Sequence, residues 1–260
     1  MDLGIQGRTA IVTGGRRGIG REAARTLLEA GARVTICARH REPLEQARSE
    51  LQTATGGEVF AVVADTAVEA DVEGLVREAT GRFGGVDNAG QMYSGRFAAL
   101  TEDGLRAQLD IKLFGFMRAI RLFAPGMKAR RWGRIVNIIG GAGKEPDPYM
   151  LGSGITNSAL LNVTKALSTE LGPDNVLVNA VCPGWVDTGM WRRNAAGLVA
   201  ELGAGSEDEA RRLAARKNAL GRFGRPEELA AAIAFLCSER ASFITGVSLN
   251  VDGGRLKSLW

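Results

Sequence analysis

The chain has little of what marks many protein classes. Its cysteines are Cys37, Cys182 and Cys237, isolated from one another, so neither a disulfide framework nor a metal cluster is suggested. No apolar run is long enough to cross a bilayer. The opening residues MDLGIQGRTAIV lack the n- and h-regions of a signal peptide, which leads to the expectation of a cytoplasmic protein with no membrane partner. No repeat or low-complexity segment interrupts the 260 residues. Charge of one sign is also scarce. The net charge is +4, with basic residues scattered among acids apart from the short cluster Lys128-Ala129-Arg130-Arg131. That cluster falls where a helix should end and can complement its dipole, so nucleic acid is not an expected partner.

What is present is a 45% hydrophobic, 24% charged chain, the balance of a globular protein of a size that suits one α/β domain. Strand and helix signals alternate. Strands are expected over 33–38, 58–64, 134–139, 176–181 and 247–251. Helices are expected over 43–55, 68–83, 102–127, 155–171 and 227–236. This pattern predicts an α/β Rossmann-type fold: a doubly wound parallel sheet in three layers, as a single domain over 1–260.

The organising stretch is Thr13 to Gly20, TGGRRGIG. Arg8-Thr9-Ala10-Ile11-Val12 before it reads as a strand, and the residues from Arg21 to Leu28 after it read as a helix. Gly14 can take the positive φ of a tight turn. Gly18 and Gly20, either side of Ile19, remove Cβ atoms that would block a pyrophosphate and the helix–strand contact. The helix N-terminus then offers free N–H groups to phosphate. An ordinary glycine-rich strand–helix turn would use the same residues.

The spacing Gly-x-x-x-Gly-x-Gly, with Thr13 one place earlier, resembles the short-chain dehydrogenase/reductase family. Further landmarks extend the resemblance over nearly the whole chain: Asp65-Thr66, Asn88-Ala89-Gly90, Pro183-Gly184 with Thr188, and Asn250-Val251-Asp252-Gly253-Gly254. The resemblance implies a dinucleotide site. Asp65, beside Thr66, would meet the adenine amino group, and Asn88, Ala89 and Gly90 would line the adenosine side. Pro183, Gly184 and Thr188 would hold the nicotinamide end. The expected strand 33–38 ends at Ala38 and is followed by Arg39, with no acid at the junction, and Arg16 and Arg17 add charge inside the glycine loop. Guanidinium groups suit a 2′-phosphate, so NADP(H) is the expected cofactor, with NAD(H) possible and no metal. Alternatively Arg39 stacks on adenine or faces solvent. The family normally has a central strand ahead of Asn-Ala-Gly, yet Gly84-Gly85-Val86-Asp87 runs straight into Asn88. Either the preceding helix shortens to supply that strand or residues are missing there.

The family's catalytic set is Asn, Ser, Tyr and Lys, and the corresponding positions here hold Lys112, Gly140, Ser153 and Asn157. Asn157 thereby stands where the resemblance puts the Lys that holds the nicotinamide ribose. Tyr149, four residues before Ser153, would share its face if the helix began early enough. Lys112 is the other group able to supply a proton, because burial can bring a lysine pKa towards neutrality. The blander possibilities are that Tyr149 is a loop residue and that Lys112 pairs with a nearby acid. The candidate catalytic residues are therefore Tyr149, Lys112 and Ser153. The stretch from 185 to 225 resembles a substrate lid. Its Trp185, Met190, Trp191, Leu198 and Leu202 would suit an apolar or acyl substrate, or would simply pack the lid to the body.

The resulting expectation is an NADP(H)-dependent oxidoreductase that transfers hydride between nicotinamide and a carbonyl or alcohol substrate. The alternatives are a cofactor-binding protein without turnover, acting as a sensor or assembly partner, and a lyase or isomerase on the same fold. A homotetramer or homodimer is expected. Its surfaces would be the apolar positions around Leu105, Leu109 and Leu113 and around Leu160, Val163 and Leu167, with 247–251 as the second interface.

Overall fold

The computed structural model describes residues 2–82 and 100–258, without the side chains of 82 and 192–194. Asn88, Ala89, Gly90 and the shortened strand ahead of them lie outside the described residues.

The first half is a β–α alternation. β1 (Thr9–Thr13), β2 (Arg33–Ala38) and β3 (Val59–Val63) pair in parallel, with Thr9 opposite Arg33 and Val34 opposite Val59. Their β-branched residues suit a sheet covered on both faces, where strands read as continuous apolar runs rather than alternations. α1 (Gly18–Glu29) buries Ala23, Ala24, Leu27 and Leu28, the spacing of one helical stripe. α2 (Arg41–Thr55) begins slightly before the expected 43 and stops at Gly56, which takes a left-handed φ of 68°. α3 (Glu69–Arg82) closes this half.

The second half opens with α4 (Glu102–Gln108), capped by the Thr101 hydroxyl, which accepts from the Gly104 N–H. Sequence periodicity predicts one uninterrupted helix over 102–127. Instead, the rod contains a π-helical segment, Leu109–Phe114, between α4 and α5 (Gly115–Ala129). β4 (Gly133–Ile138), β5 (Val176–Pro183) and β6 (Ser248–Val251) form a second parallel trio, with Gly133 opposite Val176 and Ala180 opposite Ser248. α6 (Leu151–Leu171) begins one turn earlier than the expected 155. α7 (Gly189–Leu202), α8 (Glu207–Arg216) and α9 (Pro226–Leu236) follow.

The halves share one core. Ile11 of β1 and Val62 of β3 belong to the same apolar cluster as Ile135 of β4, Val176 and Val178 of β5, and Phe123 of α5. α1 packs against α2 and α9 in one helical layer, and α3 against α5 in the other. The result is the expected three-layer, Rossmann-like parallel α/β architecture.

Three residues expected at an oligomer surface need correction. Leu160 is fully buried against Phe116, Ile139, Ala180 and Cys182, so it is core and not an interface residue. Leu167 and Leu113 also pack against core clusters. The exposed large apolar residues nearby are Phe114 and Ile155, and around β6 they are Phe243, Val247 and Leu249.

Candidate active site

The carboxyl ends of β1 and β2 and the start of α1 form one end of a cavity of about 1060 Å³. Gly14 and Gly18 take positive φ, 69° and 58°, as the turn requires. The Gly14 N–H donates to the Cys37 carbonyl oxygen at 2.9 Å, fixing the loop to β2. A Cβ on Gly20 would sit 2.7 Å from the Gly14 carbonyl oxygen, so the loop can lie this close to α1 only over a glycine. The N-cap, Arg17, gives no side-chain cap and the first turn carries no acid. These amides and the positive end of the dipole suit an anion. Arg16 and Arg17 line the same end, as does Arg39, whose Nη1 is 3.9 Å from Asp65 Oδ2. That pair is loose and partly exposed. Asp65 Oδ1 accepts from the Ala67 N–H at 3.0 Å, which turns the chain beside Thr66.

The opposite end is built where β4 and β5 finish. A Cβ on Gly184 would fall 2.7 Å from the Asp252 carbonyl oxygen, so Pro183-Gly184 lies flush against the turn after β6. Thr188 precedes α7, and its Cγ2 is the atom a Cβ on Gly18 would approach at 3.4 Å. The glycine loop and the Pro183–Thr188 segment thus touch across the cavity mouth.

Between the two ends lies a polar cluster. Lys112, in the π-helical segment, is 9% exposed. Its Nζ donates to Asn157 Oδ1, and Asn157 Nδ2 donates to the Gly140 carbonyl oxygen at 3.0 Å. Burial lowers the Lys112 pKa to about 8. Cys182 of β5 is the charged partner that would oppose this, but burial pushes its thiol up to about 11. At neutral pH the thiol is therefore uncharged. The possibility of an acid paired with Lys112 is not realised among the described residues; its partner is an amide. Ser153 is buried on α6. Tyr149 lies in the turn before α6, where its N–H donates to Asp147 Oδ1 at 2.9 Å, so its relation to Ser153 is that of a turn residue to a helix and not of two positions on one helix.

Every described residue singled out from the sequence for the cofactor or the chemistry lines this one cavity. The sequence reading missed His40, Glu145 and the C-terminal Arg255 and Leu256, which also line it. The only sequence signal for the last two is Gly253-Gly254, whose φ values of 64° and 74° turn the chain back over the site. The Arg255 guanidinium lies 5.0 Å over the Trp185 ring, and burial pushes its pKa down. In the segment 185–225, Trp185, Met190 and Trp191 face the cavity. Leu198 and Leu202 instead pack with Ala210, Ala214 and Phe223 in a local core. Trp191 belongs to that local core as well as to the cavity wall, and Trp185 packs against it.

Residues 14–255 match the family model described as enoyl-(acyl carrier protein) reductase. The chain belongs to the short-chain dehydrogenase/reductase family of oxidoreductases. It is 33% identical over 258 residues to the 3-oxoacyl-(acyl-carrier-protein) reductase FabG of Aquifex aeolicus, covering 98% of this chain and 99% of that one. Among solved structures it is similar to the L-sorbose reductase of Gluconobacter frateurii complexed with NADPH and L-sorbose. The TM-score there is 0.93 at 32% identity, with both chains covered completely. It is also similar to an NADPH-bound short chain oxidoreductase from Pseudomonas aeruginosa containing an atypical catalytic centre. In that case the TM-score is 0.87 at 32% identity, over 96% of this chain and 97% of the other.

Proposed function

We propose that the protein is an NADP(H)-dependent oxidoreductase acting on a carbonyl or alcohol substrate, with a non-standard set of proton-transfer residues. The observation that carries this reading is the single cavity, with an arginine-rich glycine loop at one end and the buried Lys112–Asn157 pair between its walls. The residues present fit a dinucleotide. Gly20 lets the glycine loop close onto α1, whose start is left without a carboxylate, so its amides can take a phosphate. Gly14, Arg16, Arg17, Gly18, Ile19 and Gly20 would hold the pyrophosphate. Arg39 would meet the 2′-phosphate, with Asp65 and Thr66 at the adenine, and Pro183, Gly184 and Thr188 would hold the nicotinamide end. Asn88, Ala89 and Gly90 complete the adenosine side in this reading. When bound, the nicotinamide supplies or accepts the hydride. Tyr149, Lys112 and Ser153 are the chain's own candidates for the proton.

The stretch 185–225 acts as the substrate lid, with Trp185, Met190 and Trp191 giving the cavity an apolar wall suited to a bulky or acyl group. A homotetramer or homodimer is proposed, with β6 as one interface. It is the last strand in the order β4-β5-β6, and Phe243, Val247 and Leu249 are exposed beside it or on it. A cytoplasmic location is proposed; no helix among the described residues is long and apolar enough to cross a membrane.

Fluorescence titration with NADPH and NADH, followed by a panel of ketones, aldehydes and alcohols, tests the reading. Tight NADPH binding and turnover of at least one carbonyl support it. Tight binding without turnover of any substrate favours the second reading, a cofactor-binding protein without redox activity. That reading draws on Ser153 and Asn157 occupying the family's Tyr and Lys positions. Absence of dinucleotide binding overturns both.

A further inference from the structure

We propose that Lys112 is the proton donor of the reaction and that Asn157 is the residue that positions it. The proposal rests on the oxidoreductase reading above.

The geometry is an interlock of three positions far apart in sequence. The Asn157 amide is oriented by its bond to the Gly140 carbonyl oxygen, which uses Nδ2. Oδ1 is then the atom turned to Lys112 Nζ. A Cβ on Gly140 would lie 2.9 Å from Asn157 Nδ2, so a side chain there would press on the amide that holds the ammonium. Gly140, Asn157 and Lys112 form one unit, and all three line the cavity.

Two features suit this unit to proton transfer. An ammonium buried without a carboxylate costs several kcal/mol, which an apolar residue of similar length would avoid. An amide acceptor fixes the ammonium without neutralising it, so burial continues to hold its pKa down; a carboxylate at the same place would raise it. The surrounding groups leave that balance intact. On β5, Cys182 remains a neutral thiol, and Lys144 and Asp252, which act on Cys182, oppose each other. On α6 the neighbours are the uncharged Ser153 and Asn157. Tyr149 lies in the turn before α6. On the π-helical segment itself, Asp110 is taken by Arg118 Nη2 at 2.7 Å.

In the reducing direction a carbonyl gains a hydride at carbon, from the dihydronicotinamide of the proposed reading, and a proton at oxygen. The carbon–oxygen π bond breaks and its electrons take the proton from Lys112 Nζ. The N–H bond breaks as the O–H bond forms, leaving a neutral amine that recovers its proton from water in the cavity. The oxidising direction uses the amine form as base.

The experiment combines turnover and titration of the whole protein. Reaction rate is followed against pH on a carbonyl found in the panel. Independently of any substrate, the acylation rate of Lys112 by acetic anhydride is read against pH by mass spectrometry. In the parent, both the alkaline fall in reduction rate and the rise in acylation are expected to share a midpoint near 8. Lys112→Met should lower kcat by about 10²–10⁴-fold. Asn157→Asp should move the Lys112 midpoint upward by about 1–3 pH units in both readouts. Should that variant fold poorly, Asn157→Ala should move it downward, because the charged form loses its acceptor. A purely structural Asn157 would shift neither midpoint. Parental activity in Lys112→Met, or an acylation midpoint near 10.5 in the parent, overturns the proposal. So does loss of activity in Tyr149→Phe alone. If no carbonyl is reduced, the functional reading fails, while the acylation midpoints still decide whether Asn157 controls Lys112.

Discussion

The Lys112 ammonium donates to the Asn157 amide oxygen, and no carboxylate among the described residues pairs with it. The family pattern that the sequence resembles has an amide at the first of these positions and an ammonium at the second. Here the two chemistries are exchanged between the π-helical segment and α6, so the cavity keeps one ammonium and one amide at their meeting point. The exchange makes the charge state of Lys112 a property of the fold and exposes it to direct measurement.

The first consequence is a dependence of stability on pH. An unfolded lysine titrates at 10.5 and buried Lys112 at about 8. Below pH 8 both states carry the proton, and folding bears the full burden of burying the charge. Between 8 and 10.5 the unfolded chain binds more protons than the folded one, so this residue makes stability rise with pH, by about 3 kcal/mol across the window. Cys182 acts in the opposite sense between 9.0 and about 11, where the folded thiol keeps a proton that the unfolded one has lost. Comparing parent and Lys112→Met separates the two. The stability difference between them, from urea unfolding, should change by about 3 kcal/mol between pH 7 and pH 10.5, moving in favour of the parent. An unchanged difference would mean that Lys112 is not buried as an ammonium.

A second prediction concerns the far end of β4. The Glu239 carboxylate accepts from Arg8 Nη2 at 3.0 Å, Trp132 Nε1 at 2.8 Å and Arg134 Nη2 at 3.2 Å. The two guanidinium groups also lie 4.0 and 4.8 Å from the Trp132 ring centre. Arg134 is buried, while Glu239 is partly open to solvent, which screens the pair. Glu239→Gln keeps the shape but removes the charge, and should destabilise the fold by about 1–2 kcal/mol in urea unfolding. The cavity does not include Glu239, so NADPH affinity should stay at the parental value.

Glycines separate fold from function in a third test. Gly20→Ala would set a methyl 2.7 Å from the Gly14 carbonyl oxygen, a backbone atom that can yield only if the loop moves. Overpacking of this kind costs about 1–3 kcal/mol, and the moved loop should weaken NADPH binding by at least about tenfold. Gly81, within α3, has open space where a Cβ would go. Gly81→Ala should therefore leave binding unchanged and raise stability by up to about 1 kcal/mol. Equal NADPH affinity for Gly20→Ala and the parent would remove the glycine loop from the cofactor site.

The contrast between these glycines and the central cluster explains what could be read before the fold was known. The glycine loop is legible because its demand is local: positive φ at Gly14 and Gly18 and a missing Cβ at Gly20 leave a mark within eight consecutive residues. The strands are legible because buried parallel strands need unbroken apolar runs, as in TAIVT and RVTICA. The π-helical segment is not, since LDIKLF has the apolar spacing of an ordinary helix and its extra residue per turn arises from packing. The early start of α6 is hidden by Gly152 and Gly154, poor helix formers that the tertiary contacts override. Lys112, Gly140 and Asn157 read singly as three losses. Only the fold shows that they touch, and the same holds for Arg255 and Leu256 on the cavity wall.

The last prediction addresses the cofactor. Arg39 stands at the end of β2 with a side chain 56% exposed, and its contact with Asp65 at 3.9 Å is too long and too solvated to hold it. It is therefore available to a phosphate, with Arg16 and Arg17 on the same wall of the cavity. Charge-assisted hydrogen bonds from a guanidinium to phosphate contribute about 1.5–3 kcal/mol, which corresponds to about ten- to a hundredfold in affinity. NADPH should bind more tightly than NADH by a factor in that range, measured by fluorescence titration at constant ionic strength. Arg39→Asp should reverse the order, because a carboxylate repels the 2′-phosphate and accepts from a ribose hydroxyl. The NADPH preference should shrink as salt rises, since exposed charge pairs are screened over about 10 Å at 0.1 M. Equal affinities in the parent, or a preference for NADPH that survives in Arg39→Asp, would show that Arg39 does not read the phosphate.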